Sequence, residues 1–241
     1  MEIQCKKKNS LAIIPARGGS KSIKNKNIKS FNGKPLIAWT IEQALASNIT
    51  RVVVTTDSEE IKEIAIKFGA EVPFLRSKEL SSDIMGIEPV IIDVLDYLKD
   101  SELYFPDCVA LLMPTSPFRE INDINIALNI FLNNEVSSVI SVTPAVANNN
   151  PYWMLKEESN SVVKLFNGQN LSEIKTRRQD LPDVFIRNDF IYALDPKNLY
   201  TNNPGLYGEN PKLMKVSESR MDVDINTELD WNKAEILFKT K

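Results

Sequence analysis

The chain has 241 residues, 43% hydrophobic and 25% charged, with 13 prolines and 8 glycines; that suffices for one α/β core and fits neither a disordered chain nor a repeat array. A net charge of −3 without a long basic stripe interleaved with aromatics excludes a nucleic-acid backbone as the partner. The total absence of histidine removes Ser-His, Cys-His and His-ligated-metal mechanisms, leaving carboxylates, lysines, hydroxyls or a cation held by oxygen.

The leader MEIQCKKKNS is charged, and the apolar run from Leu11 to Ala16 is too short for a signal-peptide core or a membrane span, so a cytoplasmic protein without a membrane partner is expected. Cys5 and Cys108 show no metal spacing, and Cys108, within an apolar run, reads as core.

Short apolar runs alternate with amphipathic stretches over the first 145 residues, the pattern of βαβ units and a mostly parallel sheet. Strands are expected at Leu11 to Pro15, Arg51 to Thr55, Val72 to Leu75, Cys108 to Met113 and Ser138 to Val142. A first helix follows Pro35 at its N1 position, buries Ile37, Ile41, Ala44 and Leu45, and breaks near Asn48. A second starts after Asp57 or Ser58, buries Ile61, Ile64, Ala65 and Phe68, and stops at Gly69. A third is expected from Glu88 to Lys99 and a fourth from Asp123 to Leu132. From Thr143 to Pro182 the alternation fails, so residues 144–183 read as an insert within a single domain. Strands at Phe185 to Leu194 and Leu213 to Val216 and a helix from Thr227 to Phe238 resume the pattern. Ligands of such a sheet bind at the carboxyl ends of its strands.

The loop after the first strand reads Pro15-Ala16-Arg17-Gly18-Gly19-Ser20-Lys21-Ser22-Ile23-Lys24-Asn25-Lys26-Asn27. Adjacent glycines let backbone N–H groups approach an anion, and Arg17, Lys21 and Lys26 surround them with charge: in outline a triphosphate site. Pro15 and Ser20 stand where a Walker A loop requires glycines, and no third glycine completes a dinucleotide fingerprint. A solvated basic loop is the plain alternative.

This run, with Asn32-Gly33-Lys34-Pro35-Leu36 ahead of the first helix, resembles the acylneuraminate cytidylyltransferase (CMP-sialic acid synthetase) family. The likeness covers the first strand through Thr143 and then Arg178 onward. It implies a Rossmann-like nucleotidyltransferase fold, a mostly parallel sheet flanked by helices, with Gly18, Gly19, Ser20 and the three cations holding the CTP phosphates and Asn27 near the ribose or cytosine. Arg76-Ser77-Lys78-Glu79-Leu80-Ser81-Ser82-Asp83 is similar to a family stretch beside the nucleotide, which assigns Arg76, Ser82 and Asp83 there, although Ile84, Met85 and Ile87 replace small residues. Val54-Thr55-Thr56-Asp57 resembles the family's strand-Thr-Asp ending, at the sheet edge where ligands sit, and Asp57 reads equally as a helix cap, the favoured alternative.

Pro114-Thr115-Ser116-Pro117-Phe118-Arg119 resembles the family's Pro-Thr-Ser-Pro-Leu-Arg turn. By that resemblance Met113, Thr115, Ser116 and Arg119 face the sugar, and Met113 stands where sialic acid enzymes usually carry glutamine. Arg178 aligns with the arginine near the sugar carboxylate, and Asn188 lies in a second matching segment where Asp189 replaces a glycine. Asp222-Val223-Asp224-Ile225-Asn226-Thr227 matches a magnesium-binding element, giving Asp224 as ligand with Asp222, favoured, or Asn226 as its partner. Oxygen ligands two residues apart on an extended segment do point the same way. Asn226 or Thr227 also reads as a helix cap with Asp230 at N3.

The resemblance thus implies magnesium-dependent transfer of CMP from CTP to an acidic nine-carbon 2-keto sugar of sialic, legionaminic or pseudaminic type. It further implies a homodimer in which the insert covers the partner's sugar site. An octulosonic acid as substrate, or a nucleotide- or sugar-binding module without catalysis, are the alternatives.

Overall fold

A computed structural model describes residues 8–216 and 223–240, with Asn160 described by its backbone alone. The elements in chain order are β1 (Ser10–Pro15), β2 (Ser30–Phe31), β3 (Lys34–Pro35), α1 (Leu36–Leu45), β4 (Arg51–Thr55), α2 (Glu59–Lys67), α3 (Ile87–Glu102), β5 (Cys108–Leu111), α4 (Ile121–Leu132) and β6 (Ser138–Pro144). They continue with β7 (Leu155–Glu158), β8 (Val162–Leu165), β9 (Phe185–Leu194), β10 (Pro211–Lys215) and α5 (Glu228–Lys239). One six-stranded sheet runs in the order β10-β6-β9-β5-β1-β4. It is parallel except at β9, which runs antiparallel to both β5 and β6.

Strand alternation divides the core. Ala12 and Ile14 face one way, into a cluster with Ile37, Ile61, Ile124 and Trp231 of α1, α2, α4 and α5. Leu11 and Ile13 face the other way, toward Ile91, Val94 and Leu98 of α3. Strand β1 is buried on both faces, as a central parallel strand must be, and Cys108 is buried in β5.

Three expectations need correction. Val72 to Leu75 is no strand: Glu71 and Leu75 make isolated bridges to Val53 and Thr56, and Pro73 between them has no amide to offer a ladder. The strand expected to reach Met113 ends at Leu111, and Pro35 is the N-cap of α1 rather than its first helical residue. Asn32-Gly33 closes a two-residue hairpin between β2 and β3, with φ of 46° and 91°, the left-handed pair that favours Asn-Gly.

Beyond β6 the chain leaves the sheet. β7 and β8 pair antiparallel in a sheet of their own, and short 3₁₀ turns at Leu171–Glu173 and Arg178–Asp180 lead back to β9. Among the described residues no helix is long and apolar enough to cross a membrane.

Candidate active site

The carboxyl ends of β1, β4 and β5 and the extended segment Val223–Asn226 meet at one sheet edge. The loop after β1 leaves the sheet beside β4, where the Ala16 amide donates to the Thr55 carbonyl at 2.9 Å. Buried Ile23 anchors the loop in the core. Asn27 is also buried: its amide nitrogen donates to the Arg17 carbonyl at 3.0 Å, and its carbonyl accepts from Ile37 at 2.8 Å. Asn27 thus braces the loop.

Gly18 and Gly19 differ. The Gly18 amide donates to Asp57 Oδ1 at 2.8 Å, and a Cβ there would meet Ser58 Cβ at 3.1 Å. Gly19 is exposed, with open space at its Cα. The Ser20 amide closes on the Gly18 carbonyl. Two of the amides expected to cradle an anion are therefore bonded within the protein. Asp57 is not the helix cap; Ser58 caps α2, its hydroxyl accepting from the Ile61 amide.

Arg17 and Lys21 both ion-pair with Asp83, and these two cations hold its carboxyl below the usual carboxylate range. Asp83 thus sits where the loop's positive charge converges, with its neighbour Ser82 exposed. Arg76 is buried, with Nε donating to Ser81 Oγ at 3.0 Å; burial lowers its pKa, and the charges of Asp57 and Asp93 oppose that shift. Asp93, on α3, has a buried Oδ2 without a partner, and burial raises its carboxyl. Arg17, Arg76, Ser82, Asp83, Met85, Ile87 and Met113 line a cleft of about 230 Å³.

Lys26 points into the protein edge, donating to the Ile225 carbonyl at 2.8 Å. Burial lowers its pKa, opposed first by the charge of Asp224. Val223 and Ile225 are buried, and Asp224 and Asn226 face outward together, as alternation on an extended segment requires. The Asn226 amide donates to Asp224 Oδ2 at 2.6 Å, while Oδ1 is buried without a partner. Burial raises the Asp224 carboxyl; the nearby Thr115 hydroxyl and Asn226 amide oppose it.

The segment is positioned from both sides. Ile225 donates to the Thr115 carbonyl at 2.9 Å. Thr227 caps α5 in a reciprocal pair with Asp230. Trp231 and Phe238 of that helix pack edge-on against Phe31 at 5.5 and 5.4 Å. Asp222 lies outside the described residues.

The residues expected to face a sugar do not come together. Arg119 is 2% exposed, and its guanidinium donates to the carbonyls of Phe190 and Met113 and to Thr40 and Gln43. Ser116 is buried and donates to the Asp189 carbonyl at 3.2 Å. Asn188 accepts from Ser141 and from the Phe190 amide and donates to Thr143, joining β6 to β9. These three brace the fold, because the Pro114–Pro117 turn directs Ser116 and Arg119 back toward β9. Met113 lines the cleft, and Thr115 stands beside Asp224. Arg178 is exposed at a second pocket of about 260 Å³, with Pro144, Ala147, Asn150, Phe185 and Lys215, beyond the ends of β6 and β10.

Sequence reasoning missed the role of Asp57 in the loop and the placement of Asp93 against Arg76. The Asp57 contact follows from strand register: Pro15 pairs with Thr55, so two residues on from each, Arg17 and Asp57 emerge side by side.

Comparison with known proteins bears on the chain as a whole. The family described as Cytidylyltransferase matches residues 11–216. CMP-N,N'-diacetyllegionaminic acid synthase of Legionella pneumophila is 35% identical over 95% of this chain and 96% of its own length. Pseudaminic acid cytidylyltransferase of Campylobacter jejuni is 33% identical over 95% of this chain and 96% of its own. The solved structure of CMP:2-keto-3-deoxy-manno-octonic acid synthetase complexed with CTP superposes with a TM-score of 0.72, covering 96% of this chain and 99% of that one at 17% identity, a likeness of fold. With a family match across nearly the whole sheet and relatives alike from end to end, the chain belongs to the cytidylyltransferase family.

Proposed function

We propose that the protein joins CMP from CTP to the anomeric hydroxyl of an acidic nine-carbon 2-keto sugar, a nonulosonic acid, with release of pyrophosphate. The observation that carries this reading is the convergence of Arg17, Lys21 and Lys26 on one edge that also carries Asp224. Phosphoryl transfer asks the protein chiefly for positioned charge around the triphosphate. The names of the legionaminic and pseudaminic relatives supply the sugar class.

In the reaction the anomeric oxygen attacks the α-phosphorus of CTP and gives up its proton. The bond from that phosphorus to the bridging oxygen breaks, and pyrophosphate departs. Arg17 and Lys21 exchange Asp83 for phosphate oxygens, and Arg76 and Met113 border the same cleft. Lys26 is fixed by the Ile225 carbonyl beside Asp224, so its charge lies on the acidic segment's side of the triphosphate.

Asp224 suits a magnesium ion. It offers a buried oxygen without a partner, the site has oxygen donors only, and magnesium is commonly held by one or two carboxylates plus substrate phosphates. Asp224 would hold it, with Asp222 beside it in sequence; Asn226 has turned its amide nitrogen toward Asp224 and serves as a brace. Magnesium supplies charge neutralisation at the phosphate oxygens when bound.

The protein acts as a homodimer in this reading. Leu155, Val162, Val163 and Phe166 of the 144–183 segment are 42 to 61% exposed, an apolar face of the kind a partner covers. Arg178 lies on the same segment and suits a sugar carboxylate.

The test is pyrophosphate release from CTP and magnesium with sialic, legionaminic, pseudaminic and octulosonic acids in turn. Release with one nonulosonic acid supports the reading. Release with the octulosonic acid alone, or with none of them from protein that binds CTP, overturns the sugar assignment.

A further inference from the structure

The loop after β1 combines two adjacent glycines with two cations that repel one another, and something must fix where Arg17 stands. Glycine pairs are conformationally free, and in the absence of phosphate the charges of Arg17 and Arg76 oppose each other across the cleft. Asp57 is placed to answer both problems. Its Oδ1 accepts the Gly18 amide at 2.8 Å, and its charge is the first to oppose the lowering of the Arg76 pKa. The loop lies directly on this segment, since a Cβ on Gly18 would meet Ser58 at 3.1 Å. Ser58 takes the helix-capping duty, so the Asp57 carboxylate is committed to the loop and not to α2.

We infer that Asp57 is a positioning residue for cytidylyl transfer: by holding the Gly18 amide and facing Arg76, one carboxylate sets the separation of Arg17 and Arg76 before the triphosphate arrives. This rests on the reading of the β1 loop as the CTP phosphate site. It also explains why a carboxylate stands among cations that must receive an anion. Its Oδ1 is occupied by a backbone amide, and it is not among the residues that line the cleft, so it organises the site without competing for it. Asp83 behaves in the opposite way, pairing with Arg17 and Lys21 at the exposed surface.

The experiment measures pyrophosphate release against CTP concentration at saturating sugar, and against sugar at saturating CTP, for the wild type, Asp57→Ala, Asp57→Asn and Ser58→Ala, with thermal unfolding of each. Asp57→Ala is expected to raise KM for CTP about tenfold, the loss of a hydrogen bond to a charged group, with KM for the sugar unchanged. Asp57→Asn keeps an acceptor for the Gly18 amide without the charge and is expected to recover part of that loss. Ser58→Ala lowers the melting temperature by loss of its cap and leaves KM for CTP unchanged. Wild-type KM for CTP in Asp57→Ala and Asp57→Asn overturns the inference while the CTP reading stands. If Asp57→Ala does not fold, Asp57→Asn decides alone by the same split. A wild type that neither binds CTP nor turns it over with any sugar overturns the reading beneath it, and the inference with it.

Discussion

The β1 loop and the 144–183 segment are both irregular, polar stretches attached to the same sheet edge, yet they are built in opposite ways. The loop is tied down inside one chain: Asn27 closes it on itself at Arg17, and Gly18 to Asp57 and Lys26 to Ile225 pin it to two other segments. The other segment has a small sheet of its own and turns Leu155 and Phe166 outward. The difference teaches that, in the function proposed above, the nucleotide half of the site is organised within one chain. The half assigned there to the sugar, where Arg178 stands exposed, is left open to what docks on it.

The largest expected effect breaks the nucleotide half. Asp224→Ala or Lys26→Ala should lower kcat by ~10²–10³-fold, the scale of losing one preorganised charge, with a wild-type melting temperature; steady-state pyrophosphate release checks it. Next, Trp231→Ala should destabilise the fold by about 3–5 kcal/mol, since its ring packs on Phe31 behind the Asp224 segment. Phe166→Ala, by contrast, should change the stability of a dissociated protomer by less than about 0.5 kcal/mol; denaturant titration compares the two.

A third prediction sharpens the contrast at the open half. Phe166→Asp should yield monomers in sedimentation and raise KM for the sugar about tenfold or more, while CTP affinity by calorimetry stays unchanged. A monomeric wild type, or a variant that weakens CTP and sugar equally, would remove the distinction between the halves.

The smallest effect is chemical. Burial pushes the Cys108 thiol up to about 12, so a Cys5→Ser variant should react with thiol reagents at neutral pH only on unfolding. Because this folded pKa lies above the ordinary thiol value of about 8.5, the associated stability is fully present below about pH 8.5 and is lost as pH rises toward 12. Unfolding free energies on either side of pH 9 measure it.

Much of this was legible in sequence because it is periodic or local. Alternation located β1, β4, β6 and β9 and the stripe of Ile61 and Ala65, and Thr227 with Asp230 announced the start of α5. Val72 to Leu75 looked like a strand because its residues are apolar; the absent Pro73 amide is what prevents a ladder. Arg119 looked like a ligand group because it closes a proline-fixed turn that resembles the family's, and only the tertiary structure supplies the carbonyls of Phe190 and Met113 that satisfy it. The Asp57 contact depends on the register of β1 against β4, which no single segment encodes.

The placement of β9 also has a consequence for synthesis. It fills the gap between β5 and β6, so a nascent chain that has made β6 holds a partial sheet of β4, β1 and β5 and a lone strand, with bare edges and nothing to join them. At ~5–20 residues per second, the roughly 40 residues before β9 take about 2–8 s to emerge. Through that interval the unpaired edges invite pairing with neighbouring chains, and the site waits longer still, because the carbonyl that fixes Lys26 belongs to residue 225. On the ribosome, the first residues of the site to be made are among the last to find their place.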